Sequence, residues 1–203
     1  MWNEVSKITN EGLLIVFISC VLFYNYAGIY ISHQTGASIP RWPSLIKSGD
    51  YSFYLIYICS IALIINTIIS LMGEYSLFYL FLIGLALMLF GAYLNILARK
   101  ELARSWSPLS SSDNSEKLIK SGIYTHIRHP IYLSNLIFFS GVTLVAGNWY
   151  GWILFILFLE GLRERVKKEE EELYKKFGEE YRTYAKETPL ILPRLRRWIH
   201  IKR

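Results

Sequence analysis

The chain has 203 residues, of which 53% are hydrophobic and 16% aromatic, and its formal net charge is +6. So much apolar sequence, with a mean hydropathy of +0.28, argues against an ordinary soluble domain of this size. No recognisable nucleic-acid-binding motif accompanies the basic residues, so the positive charge favours anionic lipid as a partner instead.

Four long stretches contain no Asp, Glu, Lys or Arg. They are Gly12–Ile31, Tyr51–Gly73, Tyr75–Ala98 and Pro130–Leu159. A helix rises about 1.5 Å per residue and needs roughly 20 apolar residues to cross the hydrocarbon core of a bilayer. The first three stretches therefore predict single membrane crossings. The first is expected to remain as a helix rather than to be cleaved as a signal, because no basic segment precedes it.

The fourth stretch is too long for one crossing and slightly short for two. The Gly147-Asn148 pair near its middle is a turn signal. We therefore expect a hairpin of two short helices, about Pro130–Ala146 and Asn148–Arg163. The sequence as a whole predicts an all-α, polytopic integral membrane protein with about five transmembrane helices.

The distribution of positive charge predicts the topology. If the chain starts outside, residues 32–50, 99–130 and 163–203 are the inner segments, and they hold 21 of the 22 Lys and Arg residues. The positive-inside rule then places the C-terminus, and a site near it, in the cytoplasm. Residues 1–104 would form three N-terminal membrane helices, and residues 105–203 would form the functional core.

A charged helical segment is expected to follow the hairpin. Residues 162–189 carry a loose apolar face formed by Leu162, Val166, Leu173 and Phe177. Gly178 is expected to interrupt this cytoplasmic helix and Pro189 to end it.

Two groups of residues are candidates for chemistry. The "RHPIY" stretch begins at Arg128, although a juxtamembrane basic residue before a helix-starting proline is a purely structural alternative. Arg165 and Glu169 are four residues apart and therefore share a helix face, which suits a ligand that carries both signs of charge. The alternative there is a solvated helix with ion pairs such as Glu164–Lys168.

Other polar residues within the apolar stretches have simpler interpretations. Asparagines between membrane helices usually serve as hydrogen-bond partners, and this is expected of Asn25, Asn66, Asn95 and Asn135. Glu160 is expected to pair with Arg163 or Arg128. The two cysteines form no CxxC or Cys/His pattern, so neither a metal site nor a disulfide is indicated.

These residues together resemble the isoprenylcysteine carboxyl methyltransferase family, in a broader group that includes phospholipid N-methyltransferases. The resemblance rests on "LIKSGIYTHIRHPIY", a helical hairpin, and then R-x-x-x-E-E, F-G-x-E-Y-x-x-Y and a final Pro. It covers about residues 105–193, whereas the N-terminal helices resemble the family only in hydropathy.

The resemblance implies a cofactor and a set of site residues. The family uses S-adenosylmethionine, bound between the hairpin and the C-terminal helix. Arg165 matches an arginine that faces the methyl acceptor. The positions matching cofactor contacts are Glu116, Lys117, Leu118, Ile119, Tyr124, His129, Pro130, Ile131, Tyr132 and Glu169.

The function implied by the resemblance is methylation of a lipophilic acceptor, with the carboxylate of a prenylated cysteine as the leading choice. A phospholipid amine is the main alternative, and it would require a base such as His129 or Glu160. A sterol-reductase-like enzyme that uses a nicotinamide cofactor is a third reading, and a non-enzymatic scaffold is a fourth.

Overall fold

The computed structural model describes residues 2–34, 50–73, 78–105 and 118–192, and this part of the chain is almost wholly helical. Its five α-helices are α1 (Trp2–Gln34), α2 (Tyr51–Met72), α3 (Phe78–Ser105), α4 (Pro130–Ala146) and α5 (Trp149–Glu187). A short 3-10 helix, Gly122–Thr125, precedes α4. The prediction of an all-α fold that ends in a helical hairpin is confirmed.

Three of the helices are long and apolar enough to cross a membrane. The candidate spans are Asn10–Ile31, Tyr51–Met72 and Phe78–Leu102, while Pro130–Ala146 is apolar but shorter. Many large apolar side chains on their outer surfaces are exposed, including Ile15, Leu22, Ile58 and Ile69 at about 60% or more. Such a surface is unfavourable in water and normal against lipid. The fold is that of a polytopic membrane protein.

The turn of the hairpin forms where the sequence predicts it. Gly147 adopts a left-handed conformation, with φ 64°, and its N–H donates to the carbonyl of Thr143 at 3.3 Å. The Asn148 side chain then caps α5 by accepting from the Gly151 N–H at 2.9 Å. Asn66 of α2 lies 3.2 Å from the same Asn148 side chain, which ties the turn to a neighbouring helix.

The second arm of the hairpin differs from the prediction. Instead of ending near Arg163, α5 continues into the charged segment and, after a kink at Gly178, ends at Glu187. No proline separates the two parts, Gly161 keeps a helical conformation, and buried Leu162 and Val166 continue the inward face. The predicted interruption at Gly178 is present, with φ 53° and ψ −126°, and the helix ends just before Pro189.

Interhelical polar contacts confirm the interpretation of three of the four asparagines. Asn95 of α3 donates to Ser134 of α4 at 2.9 Å and to the hydroxyl of Tyr24 in α1 at 3.1 Å. The Tyr24 hydroxyl in turn donates to Asn135. Asn25 differs, because it donates to a carbonyl within its own helix. One polar network therefore joins α1, α3 and α4, the first two of which belong to the N-terminal half.

Small residues allow α3 and α4 to approach closely. A Cβ atom added at Gly141 would lie 2.5 Å from the carbonyl oxygen of Gly84, and one added at Gly91 would lie 2.8 Å from the backbone nitrogen of Phe138. Real Cβ atoms do not approach backbone atoms so closely, so only glycine fits at these crossings.

We expect Gly141→Ala to force α3 and α4 apart and to lower the thermal midpoint of the detergent-solubilised protein by several degrees. Gly12→Ala is the matched control, since nothing lies within 4 Å of the added methyl group. The midpoints can be measured by light scattering or by fluorescence. Equal midpoints for the two variants would contradict this close packing.

Candidate active site

Backbone pairing fixes the segment that leads into α4. The N–H groups of Arg128 and His129 donate to the carbonyls of Pro189 and Leu190, both at 3.0 Å. Pro130 occupies the first turn of α4, where its missing N–H leaves no partner unsatisfied. The chain just after α5 therefore lies against the start of α4 and holds the "RHP" side chains in place.

Glu170 is the centre of one polar cluster. Its carboxylate accepts from Arg128 and from the Tyr181 hydroxyl, and its Oε1 lies 2.6 Å from Nε2 of His129. The side chain is only 16% exposed. Although burial alone would raise the pKa of Glu170, the bonds from His129 and Tyr181 and the charge of Arg128 lower it. Glu170 therefore stays ionised and joins α5 to the start of α4.

A second cluster surrounds Glu169. The hydroxyl of Tyr132 donates to Oε2 of Glu169 at 2.6 Å. Tyr124 is buried nearby, and burial, followed by the charge of Glu169, raises the pKa of its hydroxyl. Tyr184 donates to the Tyr124 carbonyl at 2.6 Å and fixes the 3-10 helix against α5. The Glu169 carboxylate thus lies among tyrosines rather than in bulk water.

Arg165 lies one turn before Glu169 and is directed towards the start of α2. Its Nη1 donates to Oδ2 of Asp50 at 3.1 Å, and Lys168 donates to Oδ1 of the same carboxylate at 2.5 Å. Burial works against the charge of Arg165, but the nearby Tyr132 and Glu169 and the bond to Asp50 raise its pKa overall. The guanidinium therefore remains a fixed cation beside both Glu169 and Tyr132.

The predicted site residues that make polar contacts lie against two different faces of α5. Because neighbouring helical residues point about 100° apart, Glu169 and Glu170 serve different clusters. Tyr124, Tyr132, Arg165 and Glu169 come together, whereas His129 bonds to Glu170. Pro130 is buried, while Leu118, Ile119 and Ile131 are half-buried. The predicted contacts Glu116 and Lys117 lie outside the described residues.

A cavity of about 550 Å³ opens between α4, α5 and the segment that follows α5. Arg128, Arg163, Lys167, Glu170 and Glu171 supply its charged groups. The rest of its wall is apolar or aromatic and consists of Tyr132, Leu136, Leu159, Leu162, Val166, Tyr174, Leu190 and Ile191. Tyr132 lines this cavity and also donates a hydrogen bond to Glu169. It therefore lies at the boundary between the mainly apolar cavity and the polar cluster around Glu169.

The sequence did not identify three of the residues that build this arrangement. Asp50 lies 115 positions from Arg165, and no local pattern connects them. Glu170 is one of four consecutive glutamates, among which spacing alone cannot select a partner for His129. Tyr181 belongs to the F-G-x-E-Y-x-x-Y motif, but the motif does not say what its hydroxyl bonds.

In the described contacts, Glu164 and Lys168 do not form the suggested i,i+4 pair with each other. Glu164 pairs with Arg163 at 3.1 Å, and Lys168 bonds Asp50. Glu160 lies 3.4 Å from Arg163, as expected. Within the described part of the chain, His, Cys, Asp and Glu side chains form no group of three placed to hold a metal ion.

Comparison with known proteins identifies the family. Residues 79–180, half of the chain, match the family model described as phospholipid methyltransferase. The protein-S-isoprenylcysteine O-methyltransferase of Schizosaccharomyces pombe is 25% identical over 195 residues, which cover 87% of this chain and 82% of that protein.

Two further relatives carry the same name. Protein-S-isoprenylcysteine O-methyltransferase B of Arabidopsis thaliana is 28% identical over 181 residues, or 88% of this chain and 91% of that protein. The human protein-S-isoprenylcysteine O-methyltransferase is 29% identical over 113 residues, covering 54% of this chain and 40% of its own length. The chain therefore belongs to the phospholipid methyltransferase family, and its resemblance to the isoprenylcysteine carboxyl methyltransferases is confirmed.

Proposed function

We propose that this membrane methyltransferase transfers a methyl group from S-adenosylmethionine to the carboxylate of a C-terminal isoprenylcysteine, at the cytoplasmic side of the bilayer. One observation carries the proposal: Tyr132 joins a cluster containing Arg165 and Glu169 to an apolar cavity in the hairpin. The named activity of the relatives supports the same acceptor.

The residue types suit a carboxylate acceptor. A carboxylate is already ionised near neutral pH and needs no general base, so its chief requirements are orientation and charge balance. Arg165 can supply both, since a guanidinium can hold a carboxylate through two parallel N–H bonds. Its side chain is 29% exposed, so it lies at the surface of the cluster and is accessible to a ligand.

The polar cluster fits the methyl donor. Glu169 can accept from the donor's ammonium group or ribose hydroxyls, and Tyr124 and Tyr132 form the walls around its carboxylate. We assign the remaining donor contacts to Glu116, Lys117, Leu118, Ile119, His129, Pro130 and Ile131. When bound, S-adenosylmethionine supplies a methyl group activated by a sulfonium. The chain's own residues then orient the acceptor and exclude water.

The cavity fits the prenyl chain of the acceptor. Leu136 of α4 and Leu159, Leu162 and Val166 of α5 line its apolar wall. We place this hairpin beside the bilayer. A volume of about 550 Å³ lies within the 300–1,000 Å³ typical of small-molecule sites. A prenyl chain could enter sideways from the membrane while its carboxylate reaches the polar cluster past Tyr132.

The acceptor can be tested directly with purified protein and radiolabelled S-adenosylmethionine. S-farnesylcysteine and vesicles of phosphatidylethanolamine are supplied in parallel. Base-labile label on farnesylcysteine supports methyl ester formation. Base-stable label on the phospholipid would instead indicate the amine activity that the family description suggests. Incorporation into neither acceptor would also overturn the proposal.

Arg165→Ala should lower turnover of farnesylcysteine by about 100-fold or more, because the acceptor carboxylate loses its cationic partner. Affinity for S-adenosylmethionine should stay nearly unchanged. Arg182→Ala is the matched control, since Arg182 is 58% exposed and pairs only locally with Glu179 in the described contacts. Activity of Arg165→Ala near that of the control would remove the assigned role.

Glu169→Gln should weaken S-adenosylmethionine binding by roughly 10-fold, the loss expected for one charge-assisted hydrogen bond. Isothermal calorimetry in detergent measures the effect. Glu172→Gln removes an exposed carboxylate from the same run and should leave the affinity unchanged. Equal affinities for the two variants would show that Glu169 does not hold the donor.

A further inference from the structure

Asp50 combines two tasks at the start of α2. It is the N-cap of that helix, and its Oδ1 accepts from the Ser52 N–H at 3.0 Å and from the Ser52 hydroxyl at 2.6 Å. The same carboxylate also accepts from Lys168 and from Arg165 of α5, although only 12% of the side chain is exposed. A residue of the N-terminal half therefore contacts the cation assigned to the acceptor.

Capping alone does not account for this carboxylate. Asparagine and serine cap helices about as well as aspartate, so the cap does not require a negative charge. The capping bonds and the bond from Lys168 all use Oδ1, whereas Oδ2 accepts from Nη1 of Arg165 at 3.1 Å. Burial alone would raise the pKa of Asp50, but its bonds from Lys168 and Ser52 hold it well below the usual range. Asp50 therefore presents a permanent anion to Arg165.

We propose that Asp50 is a positioning residue for methyl transfer, which holds the Arg165 guanidinium through Nη1 and directs its other N–H groups towards the acceptor carboxylate. A guanidinium has five N–H donors in one plane, so anchoring one edge orients the opposite edge. This inference rests on the proposed function, because it assigns Asp50 a role only if Arg165 binds the acceptor.

The surrounding charges explain why the anchor matters. Arg165 and Lys168 approach the same carboxylate, so removal of its charge would leave two cations side by side. Their repulsion, together with the rotamer freedom of a long side chain, would displace the guanidinium. Misplacement of a positioning group by about 1 Å can cost 100-fold in rate. The Asp50 carboxylate also offsets part of the positive charge of Arg165, so that the acceptor carboxylate is oriented without being held too tightly to react.

The test is Asp50→Asn in the full-length protein, which keeps the shape and the capping ability of the side chain and removes its charge. We expect kcat/KM for farnesylcysteine to fall at least about 10-fold, chiefly in kcat, while the affinity for S-adenosylmethionine and the thermal midpoint stay close to wild type. Asp50→Ser, a second neutral cap, should behave in the same way, so a folding defect peculiar to one variant does not decide the result.

Two controls separate positioning from structure. Ser52→Ala removes a partner of Asp50 on the capping side, and Lys168→Met removes the other cation; each should stay within about threefold of wild type. The inference is overturned if the neutral Asp50 variants retain wild-type kcat/KM, or if Ser52→Ala is equally damaging. If the wild-type protein itself fails to methylate farnesylcysteine, the proposed function fails, which is a different result.

Discussion

Charges at the edge of a membrane must be paired, and this constraint organises the C-terminal half of the protein. Arg128 and His129 lie immediately before an apolar helix, where an unpaired charge on Arg128 would be costly. Glu170 bonds to both and also accepts from Tyr181. The same contacts join the start of α4 to α5, so charge pairing beside this apolar helix also fixes the geometry of the hairpin.

With that hairpin fixed, α5 presents different chemistry on its two sides. One side carries Arg165 and Glu169 beside tyrosine hydroxyls, and the other borders an apolar cavity through Leu159, Leu162 and Val166. The two reactants proposed for this enzyme differ in the same way, since one is polar and the other is mainly hydrocarbon. The part of α5 that precedes Gly178 can therefore support both binding regions, with contact between them near Tyr132.

Local sequence signals predicted much of this architecture. Pro130 at the first turn and Gly147 at the turn gave the bounds of α4 correctly, because proline and glycine have strong conformational preferences. The end of α5 was wrongly placed near Arg163, since a change from apolar to charged residues alters the environment of a helix without breaking it. Asp50 was missed because its pairing with Arg165 depends on how α2 packs against α5. That packing leaves no periodic signal in either segment.

The most direct test of the account asks where the prenyl chain lies. Full-length protein in lipid nanodiscs can be irradiated with farnesylcysteine that carries a photoreactive group at the end of its prenyl chain, and the labelled peptides mapped by mass spectrometry. Labelling is expected at Leu136, Leu159 and Leu162, and excess farnesylcysteine should displace it. Labelling confined to outward-facing residues of α1, such as Ile15 and Leu22, or labelling that no competitor displaces, would contradict it.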